Sequence, residues 1–364
     1  MRLEGFVLAS PPMRIVGIGG GTGLPVLLRG LKTLHERGGD GAEDDRVSTA
    51  AIVCVSDDGG SSGMLRQAFG IPAVGDLRNC LVALASGNPA LRDIFQFRLN
   101  GDSGLHGHAL GNLIVAALSA RSGNLRHAVR LASEILGLQG DVLPCTEVSV
   151  TLCAEFEDGE VACGETGLVG RRKKIQRMWL DPADAPAAPG VIETLLSADA
   201  IVLGPGSLHT SLIPNLLPVG IAQAIRTSRA LKILVCNLMT QPGETESYSA
   251  SDHVRAVHNY LGQSGLHVCL LNSSAVPASL ADVYAASGAV PVHNDEAELQ
   301  RMGIVPISTD LLAEQENKVA HDPMKLARWV VALTRAYRRT REMDAGQVRC
   351  VAASSGGLPA EVTS

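Results

Sequence analysis

The chain has 364 residues, with 39 glycines and few aromatics (5 Phe, 4 Tyr and 2 Trp), and 46% of it is apolar against 19% charged. That is enough apolar material for a sizeable core of Ala, Val, Leu and Ile, and it excludes a disordered chain; glycine without a triplet period excludes a collagen. A net charge of −6, with no basic run beyond Arg171, Arg172, Lys173, Lys174 and Arg177, argues against a nucleic-acid-binding protein, and no apolar run reaches the roughly 20 residues of a membrane span.

Residues 1–12 read as an optional N-terminal extension, because Met13-Arg14-Ile15-Val16 offers a second translation start. The opening MRLEGFVLAS carries Glu4 and is too short for a signal peptide. Residues 14–18 predict a buried strand, 24–36 a helix, 38–46 a polar loop and 50–55 (AAIVCV) a second buried strand. Residues 77–138 read as mostly helical, interrupted by glycine loops. From Val148 the period changes to two, and Asp158-Gly159 turns the chain, which predicts a hairpin continued by a basic strand near 173–179. Apolar runs return at 200–203, 231–236 and 268–271. Such runs spaced by helices predict parallel strands joined by right-handed crossovers. The expected fold is α/β: a Rossmann-like, three-layer parallel sheet with helices on both faces, spanning 13–340, with a small inserted antiparallel hairpin subdomain at about 145–182. Residues 341–364 lack a convincing period and are expected to be disordered. The eight cysteines form no CxxC and no close pair, which predicts reduced thiols and a cytoplasmic location.

Several loops carry the chemistry. Gly17-Ile18-Gly19-Gly20-Gly21-Thr22-Gly23-Leu24 lies between a buried strand and a helix, where glycines admit a phosphate to the backbone and to the helix N-terminus. It matches neither the dinucleotide fingerprint nor a P-loop. A strained turn alone would use fewer than these five glycines in seven positions. Ser56-Asp57-Asp58-Gly59-Gly60-Ser61-Ser62-Gly63 also follows a buried strand; its adjacent carboxylates suit Mg²⁺ or ribose hydroxyls, and its small residues a second anion nest. Either Asp could instead cap the following helix. Gly75-Asp76-Leu77-Arg78-Asn79 and His106-Gly107-His108-Ala109-Leu110-Gly111-Asn112 each open a helix with polar groups. A zinc pair at His106 and His108 lacks evident partners. Ile201-Val202-Leu203-Gly204-Pro205-Gly206-Ser207-Leu208-His209-Thr210 repeats the strand–glycine–helix plan, and Asn237-Leu238-Met239-Thr240-Gln241-Pro242-Gly243-Glu244-Thr245 follows another buried strand. All would gather at the carboxyl edge of one sheet. No nucleophile elbow or Cys/His pair is present, so covalent catalysis is not expected. The same loops could hold any diphosphate, NAD or NADP included.

GGGTGL, SDDGGSSG, GDLRN, GHALGN, GPGSLHTS, PNLL and CNLMTQPGET, in this order, resemble the gluconeogenesis-factor family, within the wider group of 2-phospho-L-lactate transferases (CofD-like proteins). The resemblance runs from about Arg14 to near Arg338 and implies a Rossmann-like fold with a nucleotide pocket. VLPCTEVSVTLCAEFEDGEVACGE and TQPGETESYSASDHV resemble the gluconeogenesis-factor subgroup, which implies a regulator of gluconeogenic growth and cell shape that binds UDP-sugars. The wider group implies the alternative, a Mg²⁺-dependent transfer of a phospholactyl group from a nucleotide diphosphate donor to a deazaflavin hydroxyl, with Asp57, Asp58 and Asp76 as catalytic candidates. The subgroup also implies a nucleotide-sugar contact at Tyr284. It usually carries Arg before the late His-Asp pair, where this chain has Ala320 before His321-Asp322. The expected nucleotide and phosphate contacts are Gly19, Gly20, Gly21, Thr22, Gly23, Gly59, Gly60, Ser61, Ser62, Arg78, Asn79, His108, Asn112, Gly204, Gly206, Ser207, Thr210, Asn215, Asn237, Gln241, Glu244 and Tyr284, with Asp57 and Asp58 expected to hold Mg²⁺. The basic strand would be either a contact in a homo-oligomer or a solvated face.

Overall fold

The computed structural model describes residues 11–37, 46–101, 104–169, 171–313 and 318–354. The proposed extension thus lies outside the described residues except for Pro11 and Pro12, and the 38–46 loop does so except for Arg46.

The chain opens with β1 (Met13–Gly19), α1 (Leu24–Glu36) and β2 (Val47–Val53). In α1, Leu24, Leu27, Leu28 and Leu31 recur at helical spacing and are fully buried, and Pro25 stands at the helix start, where its missing N–H costs nothing. Five helices follow: α2 (Gly60–Phe69), α3 (Gly75–Leu84), α4 (Pro89–Gln96), α5 (Leu110–Ser122) and α6 (Leu125–Leu136). They lead to the short strand β3 (Asp141–Pro144). The insert contains β4 (Thr151–Phe156), β5 (Val161–Cys163), α7 (Glu165–Val169) and β6 (Ile175–Asp181). The second half alternates α8 (Val191–Leu196), β7 (Ala200–Leu203), α9 (Ile221–Thr227), β8 (Leu231–Val235), α10 (Ala250–Leu261) and β9 (Val268–Asn272). It closes with α11 (Ala278–Ala286), α12 (Glu296–Arg301), β10 (Val305–Thr309) and α13 (Pro323–Ser354).

Seven parallel strands form one sheet in the order β10-β9-β8-β7-β1-β2-β3. From β1 the chain walks outward to β3, then returns and walks the other way from β7 to β10. Reversing direction with right-handed crossovers moves the helices to the opposite face. Accordingly α1 packs with α3 and α13, while α10 packs with α9 and α12. β7 is buried at every residue, as expected of a strand covered on both faces.

The insert is a three-stranded antiparallel sheet in the order β5-β4-β6. Its basic residues pair with the hairpin's own acids: Arg171 with Glu160, Lys173 with Asp158, Lys174 with Glu157 and Arg177 with Glu155. Pairs this exposed add little stability but neutralise the run locally.

One expectation is corrected. Cys153 and Cys163 sit directly opposite across β4 and β5 and form a disulfide, with Cα atoms 4.0 Å apart. The hairpin brings together residues ten apart in sequence, a pairing that a search for CxxC passes over. Cys54, Cys80, Cys145, Cys236 and Cys269 are free and buried. The final helix is described through Ser354, within the segment from 341 onward that shows no convincing period in the sequence. No proline interrupts 341–354, and a single Gly346 costs only about 1 kcal/mol relative to Ala. Residues 355–364 lie outside the described residues.

α13 docks on α1 at Gly30, where an added Cβ would lie 1.9 Å from the Pro323 carbonyl oxygen and 2.8 Å from the Ala327 Cβ. Gly30→Ala is expected to destabilise the protein by about 1–3 kcal/mol through overpacking, read as a lowered midpoint of denaturant unfolding. An unchanged midpoint would show that the two helices can separate at no cost.

Candidate functional site

The strand order reverses between β1 and β7, so the loops leaving their carboxyl ends flank a crevice. These loops touch backbone to backbone. A Cβ on Gly23 would fall 2.3 Å from the Pro205 carbonyl oxygen and 2.7 Å from the Gly206 Cα. Side-chain amides fix the first loop: Asn79 Nδ2 donates to the Gly21 carbonyl at 3.0 Å, and Asn215 Nδ2 donates to the carbonyls of Gly19 at 3.0 Å and Ser211 at 2.7 Å. The Asp76 carboxylate accepts from the Gly21 amide and fills the space a Gly20 side chain would need, 2.3 Å from its Cβ position.

Above these loops opens a cavity of about 550 Å³. Gly21, Thr22, Gly23, Gly206, Ser207, Thr210, Asn237, Gln241, Glu244 and Tyr284 line it, all of them expected from the sequence. The wall also includes Val26, Glu165, Pro205, Ser211, Leu238, Met239, Lys318, Val319, Ala320 and His321. Within the wall, Ser207 donates to Glu244, Thr210 Oγ1 donates to Ser207 at 2.7 Å, and Asn237 donates to Gln241 at 3.2 Å. The Tyr284 hydroxyl accepts from the Val319 amide at 3.2 Å. His321 is buried with Nε2 unpartnered, and burial lowers its pKa to about 4, so it is neutral at pH 7.

Acids crowd one side of the cavity. Burial, reinforced by repulsion from Asp57, Asp76 and Glu244, pushes Glu165 up to about 8 against a hydrogen bond with Thr210. Burial likewise raises Asp76 to about 6, opposed by the Gly21 amide and Arg78 and reinforced by Asp57. Burial also raises Glu244, although Ser207 and the His209 amide oppose the shift. The sequence reading missed Glu165. It sits 107 residues from Asp58, in an insert with no strand–glycine–helix signal, yet its amide donates to Asp58 Oδ1 at 2.9 Å.

The family model described as 2-phospho-L-lactate transferase CofD matches residues 15–312, which include every cavity loop except 318–321. The chain belongs to the CofD family. It is 42% identical over 320 residues to the gluconeogenesis factor of Bacillus subtilis, covering 88% of this chain and 98% of that protein. To the gluconeogenesis factor of Halalkalibacterium halodurans it is 42% identical over 313 residues, covering 86% of this chain and 94% of that one. A crystal structure of a Bacillus halodurans protein of the UPF0052 family superposes with a TM-score of 0.83 at 40% identity, covering 88% of this chain and 99% of that one. The chain is thus a homologue of gluconeogenesis factors with the CofD-family fold.

Other expected residues of this CofD-family chain lie around the cavity rather than in its wall. Gly19, Gly20, Gly204 and Asn215 form the layer beneath. Gly204 takes a positive φ of 84°, and the Gly204–Pro205 peptide is cis. Asp57 Oδ1 accepts the Gly59 amide at 2.8 Å, and Asp58 is turned toward the insert, so the two carboxylates serve opposite ends of their loop. Among the described residues no three His, Cys, Asp or Glu side chains form a ready-made metal site. Asp57 is the member of the pair that acts electrostatically on both Asp76 and Glu165. Ser61, His108 and Asn112 are buried and bond one another: Ser61 Oγ is 2.9 Å from His108 Nδ1, and Asn112 Nδ2 donates to Ser61 at 3.1 Å. Ser62 packs against Gly75, while a side chain on Gly60 would meet open space and one on Gly59 would meet Asp57. Arg78 and Asn79 face a neighbouring cavity.

The raised acids give the stability a definite pH sign. The folded chain keeps protons on Asp76 and Glu165 that the unfolded chain loses near pH 4, so the stability these two groups contribute is full below that point and is lost as pH rises through about 6 and about 8. Glu165→Gln is expected to melt with the parent protein at pH 4 and to exceed its Tm by about 2–4 °C at pH 8, measured without ligand. Equal melting at both pH values would show that Glu165 is not desolvated.

Proposed function

We propose that this CofD-family chain is a nucleotide-sugar-binding regulator, taking a UDP-sugar in the cavity at the β1–β7 crevice, in support of gluconeogenic growth and cell shape. The observation that carries this reading is the pressing of two glycine loops, backbone to backbone, beneath a cavity of about 550 Å³. Such loops suit a diphosphate, and the volume falls in the range of small-molecule sites. Tyr284 is the only Phe, Tyr or Trp in the wall, so the ligand is held mainly by backbone, hydroxyl and amide groups. Homology to gluconeogenesis factors supports the regulatory role.

A diphosphate on this side of the cavity meets repulsion from the ionised acids among Asp57, Asp76 and Glu244 unless a cation intervenes, whereas Glu165, raised to about 8, is largely protonated at pH 7. Mg²⁺ would supply that neutralisation, with Asp57 as its anchor; Asp58, held by the Glu165 amide, steadies the insert. Ala320 leaves no guanidinium at its position, so Lys318 is the cation of that segment nearest the ligand.

One observation favours a second reading, a phospholactyl-type transferase. Asp76, raised to about 6, is poised near neutrality to accept a proton from an acceptor hydroxyl. Incubation with a deazaflavin and a nucleotide-activated phospholactate distinguishes the two: product formation establishes the transferase, and its absence rejects that activity.

Calorimetry with UDP-N-acetylglucosamine and UDP-glucose tests the leading reading. Binding is expected to be tighter with Mg²⁺, and Asp57→Ala to lose about tenfold or more in affinity along with the Mg²⁺ dependence, while remaining folded. No binding at millimolar ligand overturns the proposal, and equal affinity with and without Mg²⁺ removes the role of Asp57.

A further inference from the structure

Beside the nucleotide cavity lies a second one of about 470 Å³. Its wall carries six cationic side chains, Arg29, Lys32, Arg78, Arg92, Arg98 and Lys318, and one acid, Asp93. This concentration stands out in a chain of net charge −6. None of the six forms an ion pair among the described residues. Their hydrogen bonds go to neutral groups: Lys32 Nζ donates to the Ala85 carbonyl at 2.8 Å, Arg98 to the Gly107 carbonyl at 2.9 Å, and Arg78 Nη2 to Asn79 Oδ1 at 2.7 Å.

Two of these residues are deeply placed. Lys32 and Arg78 are only 8% and 7% exposed, and Arg78 Nε is buried without a partner. Burial lowers the pKa of both, Arg98 adds repulsion at Arg78, and Arg92 and Arg29 oppose the charge on Lys32, which Glu36 supports. Like charges gathered around a recess, with a donor left unused at its floor, are unfavourable unless an anion joins them. A solvated face would instead spread its cations outward and pair them, as the hairpin does with Asp158 and Glu160.

We propose that this recess is a second ligand site, distinct from the nucleotide cavity, for a small organic anion bearing two or more phosphate or carboxylate groups. Buried Lys32 and Arg78 reach a compact ligand that enters the recess, whereas the phosphates of a long polymer would meet chiefly the exposed Arg29, Arg98 and Lys318. Thr22, Val26 and Lys318 line both cavities, so the two ligands share a wall. Occupancy of one site therefore changes affinity at the other, and the change is reciprocal. That coupling rests on the proposed nucleotide reading, whereas the second site itself does not. It rests on the cations alone and holds whether or not a UDP-sugar occupies the first cavity.

The test uses the full chain, with pyrophosphate as probe and calorimetry and thermal melting in low-salt buffer as readouts. Pyrophosphate is expected to bind and to raise Tm, and Arg29→Ala/Arg92→Ala to weaken that binding at least tenfold while melting no lower than the parent in the absence of probe. Asn237→Ala, in the nucleotide cavity, is expected to leave this binding event in place. No pyrophosphate binding at millimolar concentration overturns the proposal, as does binding that survives the double substitution. Binding lost in Asn237→Ala but retained in the double variant assigns the anion to the nucleotide cavity instead. A short single-stranded RNA that binds where pyrophosphate does not would replace the small ligand by a nucleic-acid surface. UDP-N-acetylglucosamine is titrated separately, so its failure to bind would count against the nucleotide reading alone.

Discussion

The closest approach in the molecule that matters for the site is that of two backbones, where the loop after β1 meets the loop after β7 at Gly23 and Pro205. Any side chain at Gly23 would push these loops apart, and the crevice between the two halves of the sheet would change shape with them. The contact is reinforced from several elements: Asn79 on α3, Asn215 beyond β7 and Asp76 on α3 all hold the main chain of the first loop. The loop is therefore held in place by the protein's own side chains, the kind of preorganisation that reduces the entropic cost of binding.

Around that rigid floor the charges are sorted by side. Asp57, Asp76, Glu165 and Glu244 influence one another on the side facing the insert. The six cations lie beyond Thr22 and Val26, on the side facing α1, α3 and α4. Separating the charges in this way leaves many of them without opposite partners, and stability is lost on both sides. Arg78 and Asp76, two residues apart on α3, act on each other across this divide, but no ion pair among the described residues joins the two groups. The resulting field runs across the floor of the crevice, where a bound molecule would feel both ends.

The sequence made much of this architecture readable, for physical reasons that also explain what it concealed. β7, buried at every residue, appears as an unbroken apolar run, and β1, β8 and β9 are apolar but for Arg14, Lys232 and Asn272. β3 and β10 are the edge strands, with Asp141 and Val305 exposed, and neither stands out as an apolar run. The glycine loops were visible because small residues at strand ends have few other uses. Polar residues were more ambiguous: Ser61, His108 and Asn112 looked like ligand contacts but satisfy one another. Glu165 was hidden because its relation to Asp58 exists only in three dimensions, and the same holds for Cys153 and Cys163.

The inserted hairpin looks like an appendage to the parallel sheet, but its joints show otherwise. A Cβ on Gly243 would lie 2.2 Å from the Val169 carbonyl oxygen, and one on Gly164 would lie 2.2 Å from Asp58 Oδ2, so α7 is seated between two cavity loops with no room for substitution at either end. The β4–β5 disulfide ends one residue before Gly164 and two before Glu165. The insert is therefore not a module that can be exchanged freely. A hairpin transplanted from another member of the family would bring its own acid to the cavity and its own fit against Gly243 and Asp58, so divergence in this segment alters ligand chemistry while the parallel sheet stays unchanged.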